Sequence, residues 1–246
     1  MKNAAKNAAA TRPAPRRRAA AAQDKPDRRQ AILLAAEKLF GLAGYNAVSI
    51  RDIAAEAGVP LALVGYYFGA KHELYFAIFE SWQPTIDERL ARLATAAADP
   101  RASDALERIV DAFVSPVIET HASPEGQYFA VMAARDLASP SPEAAAVQAR
   151  FFDPMAHAFV DALLAACPGA TRAQMAWCYQ FALGAMLHFL LSAERAQRLA
   201  GEPASPHDPA AREWLLRFIA AGFRGVLPPK PASAPKKRPS TARSPA

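Results

Sequence analysis

From Arg28 onward the apolar positions recur at helical intervals, and no stretch carries a strand signal of weight. Ile32, Ala36, Leu39, Phe40 and Ala43 mark one side of a helix over about 28–43, with Gly44 as its stop. Ile50, Ile53, Ala54 and Ala57 stand at i, i+3, i+4 and i+7, one face of a second helix that Ser49 is suited to cap. Ala57-Gly58-Val59-Pro60 predicts a tight turn in which Gly58 takes a positive φ. Pro60 is expected at the first position of a third helix, where its missing N–H is an orphan anyway. Leu63–Tyr67 and Val64–Phe68 are i, i+4 pairs that would pin that helix to the core. A fourth helix begins near Ala70, carries Leu74, Ile78, Phe79 and Trp82, and is expected to kink at Pro84 before ending near Asp99-Pro100.

The remainder is longer and more apolar. Asp104–Thr120 predicts a helix with Leu106, Ile109, Val110, Phe113 and Val117 inward, and Ser123-Pro124-Glu125 starts a segment running to Leu137. Ser141-Pro142-Glu143 opens a long helix to Ala166, bent at Asp153-Pro154. Thr171 caps a helix to about Ala200, and a Pro-rich loop leads to a last helix over Ala210 to Val226. About nine helices without a repeat period give an all-α fold, with a head over 27–84 and a second helical domain over 85–227. Two short helices set at a fixed angle around Gly58 make sense mainly as a helix-turn-helix that places one helix in a DNA groove.

Charge changes this picture at the ends of the chain. Of a net +6, residues 1–26 carry +6 and residues 228–246 carry +5, so residues 27–227 sum to −5. Both ends, built of Ala, Arg, Pro, Lys and Ser, read as disordered basic arms. A mildly acidic body binds DNA only through well-placed cations. Cys167 and Cys178 stand in apolar surroundings without metal spacing; a reducing cytoplasm with free thiols is the natural reading, and a bridge between them the lesser one. No apolar run reaches the ~18 residues of a membrane span. A Gly-rich phosphate loop, a nucleophile elbow and a metal-spaced cluster are all missing, so an enzyme, a cofactor and a metal are not expected.

The head resembles the tetracycline-repressor (TetR) family of transcriptional regulators. The resemblance rests on Ile32-Leu33, Ala35-Ala36-Glu37-Lys38-Leu39-Phe40, Gly44-Tyr45, Ser49-Ile50-Arg51-Asp52-Ile53-Ala54, Ala57-Gly58-Val59, Tyr66-Tyr67-Phe68-Gly69-Ala70-Lys71 and Glu73-Leu74, and it covers about residues 28–82. It implies a second half that dimerises and often binds a small molecule. It also implies that Tyr67 and Lys71 touch the DNA backbone; for Tyr67 a core aromatic is the competing reading.

The residues themselves add further expectations. Ser49, at a helix N-terminus, is read as cap, phosphate anchor or both. A cation at Lys71, opening the fourth helix, opposes the helix dipole unless a phosphate lies near. Leu61-Ala62-Leu63-Val64-Gly65-Tyr66 contains no Lys, Arg, Asn or Gln, so no bidentate base contact comes from it, which departs from the more polar helices common in the family. Methyl contacts from Leu61 and Ala62, close approach at Gly65 and the Tyr66 hydroxyl remain. Arg51 is the best candidate for a guanine contact, against an ion pair with Asp52 or Glu56 or a simple phosphate contact. Arg16-Arg17-Arg18 either enters a minor groove or adds unspecific attraction as a solvated arm.

For a small-molecule pocket the candidates are the bend at Phe151, Phe152 and Met155, with His121, Tyr128, His157, Trp177 and His188; buried histidines and aromatic stripes are more often plain core. Met175, Cys178, Phe181, Ala182, Ala185 and Phe189, with Trp214, Leu215, Phe218, Ile219 and Gly222, mark two helices expected to form a four-helix seam with a second copy. The expected function is a homodimeric, sequence-specific DNA-binding regulator, a repressor of a palindromic operator released by a small-molecule effector. The competing function is an architectural DNA binder acting through its basic arms.

Overall fold

Every segment with helical periodicity forms a helix, and no strand occurs among the described residues. In the computed structural model these are residues 27–124, 126–138 and 141–227; both basic arms, including Arg16-Arg17-Arg18, lie outside them, as does Glu125.

α1 (Arg28–Ala43) begins where the Asp27 carboxylate accepts the Arg29 N–H at 3.0 Å, and stops at Gly44. Ile32, Ala36 and Phe40 are buried as the stripe predicts, but Leu33, Glu37 and Gly41 add a second buried row. That row meets a later helix, α7 (Gln127–Ala138), so closely that a Cβ on Gly41 would come within 2.9 Å of the Tyr128 carbonyl oxygen. Ala43, expected inside, is exposed in the last turn, beyond the neighbours that cover the stripe.

α2 (Ile50–Glu56) and α3 (Leu61–Phe68) follow, joined through Gly58 at φ 64°, a conformation that costs a residue with a Cβ. Pro60 is the N-cap of α3 and not its first residue, because its ψ of 137° is extended and Leu61 is the first helical position. Val64 and Phe68 are buried; Tyr67, expected to pin the helix, sits at the rim of the core and is exposed.

α4 (Lys71–Ser81) and α5 (Gln83–Ala96) replace the single kinked helix. The Trp82 N–H reaches back to both Ile78 and Phe79 carbonyls, which tightens the turn, and Pro84 in the first turn of α5 has no N–H to extend α4. α6 (Ala105–Ala122) runs through Pro116 without breaking, and α7 follows it. The predicted long helix after Ser141 is α8 (Pro142–Val147), a π-helical turn over Gln148–Phe152, and α9 (Asp153–Ala166). Asp153 N–H bonds the Gln148 carbonyl, five residues back; the extra residue in the turn accommodates the Pro154 ring and its missing donor. α10 (Arg172–Leu191), capped reciprocally by Thr171 and Gln174, ends at Ser192, and α11 (Ala193–Ala200) departs in a new direction. α12 (Pro209–Val226) closes the fold from an Asp208 cap. Three predicted helices are thus each divided in two.

One apolar core runs from α1–α4 into α5–α10 and α12, with α11 outside it. α4 carries the junction: Phe79 packs on Phe129, Phe151 and Phe152, and Trp82 stacks on Phe129 at 4.7 Å. Polar contacts reinforce it. The buried Tyr75 hydroxyl donates to Asp136, Trp82 Nε1–H donates to Glu37 at 2.9 Å, and Arg135 donates to the Leu42 carbonyl at 3.0 Å. Cys167 and Cys178 are both buried free thiols. No single helix among the described residues is long and apolar enough to cross a membrane.

Candidate nucleic-acid interface

α2 is held at its N-terminus by a reciprocal cap. Ser49 Oγ accepts the Asp52 N–H at 3.2 Å, and the Asp52 carboxylate accepts the Ser49 N–H at 2.8 Å and its hydroxyl at 2.6 Å. These bonds from Ser49 hold the Asp52 carboxyl below its ordinary pKa. Ser49 is therefore a helix cap in this structure, with the Asp52 carboxylate beside it.

The angle between α2 and α3 presents one side of α3 outward. Leu61, Ala62 and Gly65 are exposed and Tyr66 is 79% exposed, while Val64 and Phe68 on the opposite side are buried. Tyr66 and Tyr67 stand edge to face, ring centroids 5.2 Å apart, so the phenol pair forms one ridge. The outward side offers methyl groups, one bare backbone stretch at Gly65 and two hydroxyls, but no cation.

The cations come from the flanks. Arg51 is exposed in the first turn of α2. Among the described residues neither acid expected to neutralise it does so: Asp52 is engaged by Ser49, and Glu56 pairs with Lys38 at 2.6 Å. Lys71 opens α4, half-buried, with its ammonium 4.2 Å from the Tyr45 ring centroid. Burial pushes its pKa down, and Glu143 partly offsets that. The electron-rich ring face supplies a local partner for a charge that the helix dipole opposes. Arg29, which the periodicity did not single out, lies over the Phe68 ring at 5.0 Å and puts a guanidinium beside the end of α3. The only signal for it in the sequence is the Arg28-Arg29 pair at the start of α1.

The other expected site residues are scattered. Phe152 and Met155 line a cavity of about 120 Å³ enclosed by α5, α6, α7, α9 and α10. His121 is half-buried with its ring 5.3 Å from His207, and burial, then His207, lowers its pKa. Tyr128 is at the α1–α7 contact, His157 is exposed on α9, and Trp177 is exposed on α10. His188 Nδ1 is 3.2 Å from Ser192 Oγ, at the end of α10. Arg89, Gln148 and Tyr179, not singled out by the sequence, share the cavity wall with Phe152 and Met155.

Comparison with known proteins bears on this geometry. Residues 32–78 match the family described as bacterial regulatory proteins, tetR family, and residues 111–222 match the tetracyclin repressor-like C-terminal domain. The HTH-type transcriptional regulator BetI of Rhizobium meliloti (strain 1021) is 38% identical over 77 residues, 31% of this chain and 38% of BetI, so the likeness spans less than two-fifths of that relative. HlyIIR, a hemolysin II transcriptional regulator, superposes with a TM-score of 0.55 at 19% identity, covering 79% of this chain and 96% of that one. A TetR-like transcriptional regulator from Rhodococcus sp. RHA1 gives 0.52 at 23% identity, covering 80% and 96%. With matches in both halves, an all-α architecture and a helix-turn-helix whose Leu61/Ala62/Gly65/Tyr66 side faces outward, the chain belongs to the tetR family of bacterial transcriptional regulators.

Proposed function

We propose that the chain acts as a homodimeric, sequence-specific repressor that holds a palindromic operator through residues 27–84 and is released when a small molecule binds within residues 85–227. The observation that carries this reading is the outward Leu61/Ala62/Gly65/Tyr66 side of α3, fixed by the Gly58 turn and backed by buried Val64 and Phe68. A short helix with Leu61, Ala62, Gly65 and Tyr66 left exposed beside a fixed turn suits docking in a groove, and one copy reads only one half-site; two copies cover half-sites about 10 base pairs or a multiple apart. Free buried thiols fit work in a reducing cytoplasm.

Release needs a ligand that favours one spacing of the two heads over another. Phe129 supplies a route: it lines the cavity and stacks on Trp82, and Trp82 donates to Glu37 of α1. A ligand that moves Phe129 therefore bears on the helix that supports the head.

The test is selection of bound fragments from random duplex DNA, with the full chain and with residues 1–26 removed. A regulator keeps its site preference without the arm; an architectural binder loses nearly all binding. On the selected site, Arg51→Ala is expected to weaken binding by about 1–3 kcal/mol and to relax preference at one base position. Lys71→Ala is expected to weaken all sequences alike and flatten the salt dependence. Equal, sequence-blind losses from both substitutions would remove Arg51 from base readout.

A further inference from the structure

Arg89 lies on the inner side of α5 and is only 8% exposed. A guanidinium stays protonated in a protein, so a full positive charge sits inside this region. Its partners are few. One terminal nitrogen donates to the Phe113 carbonyl at 3.3 Å, and the guanidinium carbon is 5.8 Å from the Phe113 ring centroid. Its Nε–H has no acceptor, and among the described residues no carboxylate lies within ion-pair distance. A buried ion with no counter-charge is strongly unfavourable unless something supplies one.

Arg89 faces the cavity that Phe152 and Met155 also line, and Gln148 on the same wall has a buried amide nitrogen with no partner. An arginine can only donate, so this wall lacks an acceptor bearing negative charge. Most of the remaining wall is apolar, with Phe129, Leu183 and Met186, and Thr85, Thr120, Tyr179 and Gln180 add uncharged polar side chains. A space of about 120 Å³ is of the order of the roughly 150 Å³ cavity that admits benzene, room for one ring or a short chain. Asp153 is the one acid among the lining residues; it is exposed and disfavours a second anionic group on the same ligand.

We infer that this cavity takes a small monocarboxylic acid with a compact apolar body, its carboxylate paired with Arg89; the inference rests on reading residues 85–227 as the small-molecule region.

Calorimetric titration of the full chain with benzoate and hexanoate, against benzamide, hexanamide and benzylamine, tests it. The acids are expected to bind and the neutral amides of the same shape to bind more weakly by roughly 10- to 100-fold, the range of a charge-assisted hydrogen bond. Arg89→Met is expected to lose the acids to the same degree and, without ligand, to melt no lower than the parent, because the uncompensated charge is gone. Arg89→Lys keeps the charge without the fork and is expected to fall between. Amides binding as well as acids, acids still binding to Arg89→Met, or no acid binding at millimolar concentration overturns the inference; the acid–amide comparison on the parent chain decides even where a variant fails to fold. Operator release is followed in the same samples. Acids that bind without releasing the operator refute the release mechanism and leave this inference standing, whereas benzylamine binding there and releasing it does the reverse.

Discussion

Phe218→Asp is expected to yield a folded monomer that no longer holds a two-half-site operator. Phe218 is 69% exposed and Trp214 65% exposed on α12, and Trp177 and Phe181 are exposed beside them on α10, stacked with ring centroids 5.8 Å apart. Phe181 and Phe218 border one shallow groove with Gly222 and Val226. Added Cβ atoms on Gly184 and Gly222 would meet nothing, so a second backbone has room to approach. Four aromatic side chains left in water on two adjacent helices are out of keeping with a monomer. Because Phe218 is so exposed within one copy, aspartate there costs the isolated fold little. At the centre of a seam it buries an unpaired charge, at a cost of about 2–4 kcal/mol or roughly 30- to 1000-fold in dimer dissociation. Sedimentation at micromolar concentration and titration with a two-half-site duplex check both effects. A variant that remains dimeric and binds as the parent does would place the seam on another face.

The same two helices show what was legible in the sequence and what was not. The α10 stripe of Met175, Cys178, Phe181, Ala182, Ala185 and Phe189 is apolar on two sides, and periodicity cannot say which side faces its own chain. Met175, Cys178 and Ala182 pack inside, while Phe181, with Trp177 one turn away, faces out. The head was readable because its signals are local: Ser49, Gly58 and Gly44 each act through their own backbone geometry. The divisions at Trp82, at the π-helical turn and at Ser192 depend on what packs against the helix, so the pattern ran through them as if continuous. The cavity was half readable. Pro154 marks a bend in the sequence, and Phe152 and Met155 beside it line the cavity; His121, Tyr128, His157, Trp177 and His188 are candidates by residue type alone and stand elsewhere. Arg89 and Glu37 were invisible for the opposite reason. A charged residue on a helix reads as solvent-facing, and only the packing of α5 on α6 and of α1 on α7 encloses them.

Glu37→Gln is expected to stabilise the protein above neutral pH and to change little in acid. Glu37 is 4% exposed, and burial raises its pKa from 4.5 to about 7, against the Trp82 hydrogen bond that lowers it. The unfolded chain ionises this carboxyl near 4.5, whereas the fold keeps it protonated to about 7. The folded state therefore binds the extra proton between those values, and its stability falls as pH rises through that window. The full loss is about 3 kcal/mol from the ~1.36 kcal/mol per unit that links a shifted group to stability. Glutamine keeps an acceptor for Trp82 Nε1–H and carries no charge at any pH, so the variant escapes this loss. Asp136 behaves in the same sense, its carboxyl raised to about 6 by burial while the Tyr75 hydrogen bond lowers it, so some decline with pH survives in Glu37→Gln. Asp136→Asn in the same background is expected to flatten the remainder. Urea midpoints at pH 4.5, 6 and 8 decide the matter: parent and Glu37→Gln should coincide at the lowest pH and diverge steadily above it. Parallel profiles would mean that Glu37 ionises in the fold as it does in water, with solvent reaching the Glu37–Trp82 contact that ties α1 to the junction of α4 and α5.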